Sequence, residues 1–219
     1  MEHTTKIVSI EQITHDVKRF RVEKPDGYSF TPGQATAVSI VKENWKDEKR
    51  PFTFTSLNED DYLEFIIKIY KDHEGVTAQL DKLVVGDQLE IGPAWGAISY
   101  QGEGYFLAGG AGITPFIAIF RDLAKKNKLK GNKLIFGNKE EKDIILKNEL
   151  EEYLGNNCIH VLSDEKKDSY YHGFIDEELL KKEVDDFSKE FYICGPEPMM
   201  DKLQETLKKL GTDTSKVVF

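Results

Sequence analysis

Cysteine is scarce in this chain, since only Cys158 and Cys194 occur among its 219 residues. Two thiols cannot form a disulfide framework, and an iron–sulfur cluster typically takes about four cysteine ligands. Any metal-cluster partner is therefore expected to be a separate chain. The five histidines show no spacing typical of metal ligands, so the sequence predicts no metal site.

Long hydrophobic runs and a signal peptide are also missing. No apolar run approaches the roughly 20 residues that span a bilayer, and residues 1–14 contain no apolar signal core. A net charge of −9 disfavours nucleic-acid binding, which relies on Lys and Arg neutralising phosphates. These absences predict a cytoplasmic protein with no membrane span and no nucleic-acid partner. Five lysines between residues 125 and 133 are either a solvated helix end or a docking patch for an acidic electron-transfer protein.

The first hundred residues show the periodicity of β-strands. Alternating or apolar segments separated by Gly and Pro turns predict strands at residues 6–10, 17–22, 35–41 and 62–70. Only residues 76–83 have a helical period. Many short strands with a single helix predict an antiparallel β-barrel.

The pattern changes to alternating strands and helices near residue 100. Short apolar strands are predicted at residues 105–108, 133–137, 159–162 and 191–194, and helical periods follow at 116–123, 144–154 and 198–210. This alternation predicts an α/β domain with a doubly wound parallel sheet. The sequence therefore divides into a barrel domain at 1–100 and an α/β domain at 103–219.

The segment Arg50–Thr53 places a guanidinium, an aromatic ring and a hydroxyl on one short extended stretch. A guanidinium can bind flavin phosphates with two parallel hydrogen bonds, and a ring can pack on the flat isoalloxazine. The Thr53 hydroxyl is suited to the flavin N5 atom. The alternative is that Phe52 and Phe54 merely pack into the barrel core.

Gly75, Val76 and Thr77 open the single helix predicted in the first hundred residues. Free N–H groups and the helix dipole favour an anion there, and a flavin phosphate would fit. A plain turn at the start of the helix is the alternative.

The later glycine turn, from Gly109 to Pro115, lies between a strand and a helix. It lacks the G-x-G-x-x-G pattern, but Thr114 can hydrogen-bond a nicotinamide nucleotide and the glycines let backbone approach a ligand. Cys194 and Gly195 follow a later strand, at the edge where α/β sheets bind ligands. The Cys194 thiol would lie against a nicotinamide ring, or it is only a small buried side chain.

Taken in order, these motifs resemble the ferredoxin–NADP reductase superfamily, in particular its short bacterial members. The resemblance covers essentially the whole chain and implies a six-stranded flavin barrel, a nicotinamide-nucleotide domain, and a flavin between them. The segments that carry it are Pro32-Gly33-Gln34, Arg50-Pro51-Phe52-Thr53, Gly75-Val76-Thr77, Gly92-Pro93, the glycine turn at 109–115, Phe136-Gly137-Asn138 and residues 194–200.

The resemblance also implies roles for individual residues. Arg50 would hold the flavin pyrophosphate, Phe52 would replace the family's ring-stacking tyrosine, and Thr53 and Cys194 would be the catalytic residues. Phe219 would either cover the other flavin face or close the last strand. The remaining expected cofactor contacts are Pro51, Ile67, Lys68, Gly75, Val76, Thr77, Gly110, Thr114, Pro115, Asn138, Ser163, Asp164 and Gly195.

One departure from the family concerns the nucleotide's 2′-phosphate. Family members specific for NADP tend to carry Ser-Arg after the third strand of this domain, whereas this chain has Ser163-Asp164. A carboxylate would repel the phosphate, although Lys139 nearby could compensate, so the sequence favours NADH over NADPH.

The implied activity is hydride transfer from NADH or NADPH to a bound flavin, FAD rather than FMN. Electrons would then pass to a separate acceptor, such as flavodoxin, ferredoxin or a small molecule. The alternative is a flavin- or nucleotide-binding subunit of a larger redox assembly that does not itself turn over.

Overall fold

The computed structural model describes residues 1–219 and contains two six-stranded sheets, one after the other in the chain. The first sheet is antiparallel, with the order β4-β3-β6-β1-β2-β5. A bridge between Phe54 and Phe65 joins its two ends, so the sheet closes into the predicted barrel. Its strands are β1 (His3–Thr14), β2 (Val17–Glu23), β3 (Ala35–Ile40), β4 (Arg50–Thr53), β5 (Tyr62–Lys68) and β6 (Gln88–Ile91), with helix α1 (Val76–Leu80) between β5 and β6.

Strand β5 is buried on both faces. Leu63, Phe65 and Ile67 fill the barrel core, whereas Ile66 belongs to the apolar cluster of the second half of the chain. Glu64 points to the same outer side as Ile66 because strand side chains alternate, and it is also buried. This double burial explains why the sequence of β5 is an almost unbroken apolar run.

The second sheet is parallel throughout, with the order β10-β9-β8-β7-β11-β12. Helices cover both of its faces, and successive residues of β7 alternate between the two apolar clusters. The doubly wound prediction is confirmed. The elements are β7 (Gly104–Gly109), α2 (Thr114–Lys125), β8 (Lys133–Asn138), α3 (Lys147–Leu154), β9 (Cys158–Leu162), β10 (Tyr171–His172), α4 (Glu177–Glu183), β11 (Glu190–Cys194), α5 (Glu197–Lys209) and β12 (Val217–Val218). No helix among them combines the length and the apolar character that crossing a bilayer requires.

Several element boundaries differ from the sequence prediction. The helix predicted at 144–154 begins only at Lys147, because Ile144 is extended and Leu146 has a left-handed φ of 52°. Strands β10 and β12 contain two residues each, too few for a periodic pattern. Both form by pairing with strands already in the sheet, and that pairing cannot be read from a local sequence.

Most of the lysine run at 125–133 is paired with nearby carboxylates. This favours the solvated helix end over a continuous basic docking patch, because a patch needs unpaired charge. The pairs are Lys125 with Glu59 at 3.2 Å, Lys126 with Asp122 at 2.7 Å and Lys133 with Glu183 at 3.2 Å.

Candidate cofactor sites

The glycine turn lies at the carboxyl edge of the parallel sheet, packed directly against the end of β11. A Cβ atom on Gly112 would lie 2.2 Å from the Cys194 carbonyl oxygen, so no larger residue fits without movement of backbone. Gly110 is different, since its φ is +52° and a Cβ there would meet no atom within 4 Å. The turn is therefore closed toward β11 and open at Gly110, which suits close approach of a ligand.

Thr114 is the first residue of α2, and Pro115 follows it. The Thr114 hydroxyl donates a hydrogen bond to the Ala111 carbonyl at 3.0 Å, so its free lone pairs can only accept. It can accept from an amide N–H such as that of a nicotinamide carboxamide. The first turn of α2 offers few free N–H groups to a phosphate, because the Thr114 amide donates to the Ala111 carbonyl and Pro115 has no N–H.

Asn138 ends β8 at the same edge of the sheet. Its side-chain oxygen and nitrogen are both buried, and neither has a hydrogen-bond partner. A buried amide without partners is costly, and a ligand carrying both a donor and an acceptor would satisfy it. Asn138 therefore offers both a donor and an acceptor at this edge, and its contact with a nucleotide stays a prediction.

Ser163 and Asp164 follow β9 and lie beside Asn138 and Lys139. The Ser163 amide donates to the Asn138 carbonyl at 3.0 Å, and the Asp164 amide donates to the Lys139 carbonyl at 2.9 Å. The Ser163 hydroxyl donates to the Asp164 carboxylate at 2.6 Å. An exposed carboxylate therefore lies just after the end of β9, beside the end of β8 where Asn138 lies.

Cys194 ends β11, and β11 pairs it with Ala108 of β7. Burial raises the pKa of the Cys194 thiol to about 11, so the group is neutral at ordinary pH. A neutral thiol is a poor nucleophile but a small, polarisable surface for a flat ring. Phe219 follows β12, in which Val218 pairs with Tyr192 of β11, so Phe219 lies beside Ile193, the residue before Cys194. Its side chain is 55% exposed.

The residues of β4 lie at one end of the barrel sheet, beside β3. Arg50 is exposed, and its guanidinium forms an ion pair with Glu48 at 3.2 Å. Pro51 is exposed, whereas Phe52 is only half-buried and touches the barrel core. Thr53 pairs with Ala35. The core-packing alternative is correct for Phe54, which is fully buried, but Phe52 keeps part of its ring accessible to a ligand.

Helix α1 begins at Val76 with Gly75 before it, and no side chain caps its first N–H groups. The Thr77 hydroxyl accepts a long hydrogen bond from the Tyr70 amide at 3.4 Å. The uncapped N–H groups and the hydroxyl fit an anionic phosphate.

Two other predicted contacts are less available to a ligand. The Ile67 side chain is buried in the barrel core, which leaves only its backbone for a cofactor. The Lys68 ammonium forms an ion pair with Asp16 at 3.0 Å. The Lys68 side chain is also less exposed than that of Arg50, 28% against 50%.

The sequence prediction missed an ion-pair network that joins the two halves of the chain. Arg121 on α2 donates to Glu64 on β5 at 2.6 Å and to the Thr55 carbonyl at 2.7 Å. Thr55 lies two residues after Thr53, so this arginine connects the segment after β4 with the helix that follows the glycine turn. A charged residue inside each of two apolar segments was the signal that could have revealed the network.

Two family models match this chain in succession. The oxidoreductase FAD-binding domain matches residues 4–100, and the oxidoreductase NAD-binding domain matches residues 106–205. The donor sets described above fit these cofactors, because Arg50 and α1 offer phosphate ligands and the Asn138 amide, which has no hydrogen-bond partner, lies at the carboxyl edge of the parallel sheet.

Curated proteins similar to this chain include reductases and reductase domains. NADH-cytochrome b5 reductase 2 of Aspergillus niger is 31% identical over 95% of this chain, which covers 70% of that protein. Inducible nitrate reductase [NADH] 1 of Glycine max is 30% identical over 95% of the chain. The chain spans only 28% of that nitrate reductase, and 62% of the propane 2-monooxygenase reductase component of Rhodococcus jostii.

Solved structures share the fold over nearly the whole chain. The flavohem-like FAD/NAD-binding domain of nitric oxide dioxygenase from Vibrio cholerae gives a TM-score of 0.87 at 21% identity, covering 98% of this chain and 96% of that one. A ferredoxin NADP+ reductase from Neisseria gonorrhoeae with bound FAD and NADP gives 0.86 at 21% identity, covering 99% and 96%. The chain therefore belongs to the family of FAD- and NAD-binding oxidoreductases that includes the NADH-cytochrome b5 reductases, and its fold is that of the ferredoxin–NADP reductase superfamily.

Proposed function

We propose that this flavoprotein oxidises NADH in preference to NADPH and passes the electrons to a separate redox protein. The observation that carries the nucleotide preference is the carboxylate of Asp164 at the end of β9, held by the Ser163 hydroxyl. FAD, when bound, supplies the redox chemistry, and the chain supplies binding, orientation and exclusion of water.

A carboxylate at this sheet edge has opposite effects on the two nucleotides. It can accept hydrogen bonds from a free ribose 2′-hydroxyl, whereas it repels a 2′-phosphate. Lys139 is the neighbouring cation that a 2′-phosphate would use. Its contact with Asp164 is made by the Lys139 backbone carbonyl, which accepts from the Asp164 amide, and not by the ammonium group. The relatives named NADH-cytochrome b5 reductase and nitrate reductase [NADH] support the same preference.

The flavin site is assigned to residues 1–100 and the nucleotide site to residues 103–219. In this assignment Arg50 and the first turn of α1 bind the flavin phosphates, Phe52 packs on the ring system, and Thr53 lies near N5. These roles use the exposed guanidinium, the half-buried ring and the uncapped helix described above.

The nucleotide roles fall to residues at the carboxyl edge of the parallel sheet. Gly110 gives the pyrophosphate access to backbone, Thr114 accepts from the carboxamide, and the neutral Cys194 thiol lies against the nicotinamide. Asn138 hydrogen-bonds the nucleotide through its free amide.

The proposed acceptor lies outside these 219 residues. One relative is named for cytochrome b5 and another is the reductase component of a monooxygenase, which supports a protein acceptor. Flavodoxin, ferredoxin and a cytochrome b5-type haem protein are the three acceptors to compare.

The test is anaerobic stopped-flow reduction of the FAD-loaded protein by NADH and NADPH in parallel, followed through the flavin absorbance. We expect reduction by NADH to be at least about tenfold more efficient than reduction by NADPH. A tenfold difference corresponds to about 1.4 kcal/mol, which one unfavourable contact between charges can supply. Equal efficiencies would overturn the nucleotide preference, and a flavin that neither nucleotide reduces would indicate a non-turnover subunit. Mixing the reduced protein with each acceptor then ranks the three by reoxidation rate.

A further inference from the structure

A fully buried carboxylate lies on the outer side of the barrel, where the two halves of the molecule meet. The side chain of Glu64 is 1% exposed and points away from the barrel core, between β5 and helix α2. Two arginines of the barrel contact it, Arg21 at 2.9 Å and Arg19 at 3.5 Å. A buried charge of this kind is tolerated only when cations and hydrogen bonds compensate it.

The third cation comes from the other half of the molecule. Arg121 lies seven residues after Thr114, which is two helical turns, so both residues lie on about the same face of α2. Its guanidinium donates to Glu64 at 2.6 Å and forms a two-pronged bond to Glu149 of α3 at 2.6 and 2.9 Å. Paired N–H donors fix the orientation of a carboxylate more strictly than a single ammonium does.

The same guanidinium also reaches backbone next to the flavin strand. It donates to the Thr55 carbonyl at 2.7 Å, and the Thr55 hydroxyl donates to Glu64 at 2.9 Å. The Glu64 amide donates in turn to the Ser56 hydroxyl at 3.0 Å. The segment after β4 is thus tied to α2 through a closed set of hydrogen bonds.

Electrostatics favours the charged forms of Glu64 and Arg121. Burial opposes ionisation of Glu64, but the arginines around it, Arg121 above all, outweigh burial and lower its pKa. Burial likewise opposes the charge of Arg121, but Glu149 and Glu64 raise its pKa. The link therefore persists at neutral pH and is lost only as the pH falls below the ordinary pKa of a glutamate.

We propose that Arg121 and Glu64 form a positioning pair that holds the glycine turn in register with the end of the Arg50–Thr53 strand. This inference rests on the proposed function, because the two segments are the proposed nicotinamide and flavin sites. The pair touches neither cofactor in this proposal. It sets the approach of the two rings, on which the rate of hydride transfer depends steeply, about a hundredfold for a 1 Å displacement.

The test compares Arg121→Met with wild type and with Lys133→Met as a matched control. Lys133 forms an ion pair with Glu183 at 3.2 Å within the parallel half alone. In Arg121→Met we expect the flavin reduction rate at saturating NADH to fall at least about tenfold, while the half-saturating NADH concentration and the FAD dissociation constant change little. Lys133→Met is expected to leave all three quantities unchanged, and Arg121→Lys should give an intermediate rate.

A second readout does not depend on turnover. Hydrogen exchange at the amides of Thr55 and Glu64, measured without nucleotide, should accelerate at least about tenfold in Arg121→Met, since local opening of this segment becomes easier. Glu64→Gln keeps the shape of the side chain and serves if Arg121→Met does not fold; it should show the same slowed reduction and faster exchange.

The outcomes separate this proposal from the proposed function. An unchanged reduction rate at saturating NADH in both Arg121→Met and Glu64→Gln would overturn the positioning role, even with lowered stability. If neither nucleotide reduces the wild-type flavin, the proposed function fails. Unchanged exchange at Thr55 and Glu64 would then refute the link between the halves, and faster exchange would support it.

Discussion

The two proposed cofactor sites differ in composition, since one consists mainly of backbone and the other mainly of side chains. At the carboxyl edge of the parallel sheet, packed backbone determines the shape of the site, since a Cβ on Gly112 would lie 2.2 Å from the Cys194 carbonyl oxygen. At β4 the proposed contacts come from side chains, and Arg50 is exposed with one ion pair to Glu48 at 3.2 Å. The packed side of the glycine turn is therefore intolerant of added atoms, whereas the proposed role of β4 depends on the chemistry of its side chains.

This difference also explains how each site relates to the stability of the fold. The glycine turn is packed between the end of β11 and the start of α2, so its geometry is part of the core. The exposed end of β4 contributes little to the core, and an exposed ion pair is typically worth about 0–1 kcal/mol. A change in the turn should damage fold and function together, and a change at Arg50 should damage function alone.

The largest expected effect is that of Gly112→Ala. The added methyl group would force the turn away from Cys194, at a cost of roughly 3 kcal/mol, the upper part of the range for overpacking. We expect the thermal midpoint to fall by about 10 °C for a protein of this size, with loss of flavin reduction by NADH. Thermal unfolding and stopped-flow absorbance measure the two effects.

Gly110→Ala is the matched control for that substitution. A Cβ on Gly110 meets no atom within 4 Å, so only its left-handed φ of +52° carries a penalty, roughly 1 kcal/mol. Equal destabilisation by the two alanines would contradict the view that the turn is closed on one side and open on the other.

The next effect is that of Arg50→Gln on FAD affinity. Hydrogen bonds to charged groups contribute about 1.5–3 kcal/mol, so we expect the FAD dissociation constant to rise roughly 10- to 100-fold. The thermal midpoint of the apoprotein should hardly move, because Arg50 is half exposed and pairs only with Glu48 and its own backbone neighbour. Fluorescence titration of the apoprotein with FAD measures the affinity.

Arg50→Lys separates charge from geometry at this position. An ammonium keeps the positive charge but lacks the planar fork, so an affinity between those of wild type and Arg50→Gln is expected. If Arg50→Gln bound FAD as tightly as wild type, the assignment of the phosphate site to β4 would be wrong.

Features that depend on neighbouring residues could be predicted from the sequence, whereas contacts between distant residues could not. The strand-turn-helix form around Gly109–Pro115 is local, and the structure places the turn as expected, at the carboxyl edge of a parallel sheet. The double burial of β5 was not foreseen because Glu64 meets Arg121, a residue 57 positions later in the chain. The only local sign of a contact between residues so far apart in the chain is a charged residue within an apolar segment.

Side-chain orientation was the other limit of the sequence. The core-packing alternative treated Phe52 and Phe54 alike, yet only Phe54 is fully buried. Phe54 lies beyond the last residue of β4, where the barrel closes through the Phe54–Phe65 bridge. Closure depends on strands far apart in the chain, so no local period specifies it.

The smallest expected effect concerns nucleotide choice, and it tests a side chain placed at the backbone-built edge. Asp164→Arg replaces a carboxylate held by Ser163 at 2.6 Å with a guanidinium suited to a 2′-phosphate. We expect the ratio of the NADPH to the NADH reduction efficiencies to rise about tenfold, which corresponds to one charged hydrogen bond of about 1.4 kcal/mol. Stability should not change, because Asp164 is exposed.

Asp168→Arg is the matched control, with the same change of charge at another exposed aspartate four residues later. If the ratio rises in Asp164→Arg alone, the ribose lies beside Asp164, and a single side chain sets specificity at an edge whose shape the glycines determine. A rise in both variants would reflect a general electrostatic attraction of NADPH. A ratio unchanged in Asp164→Arg would place the ribose elsewhere, and Lys139 on the neighbouring strand end would become the residue to substitute next.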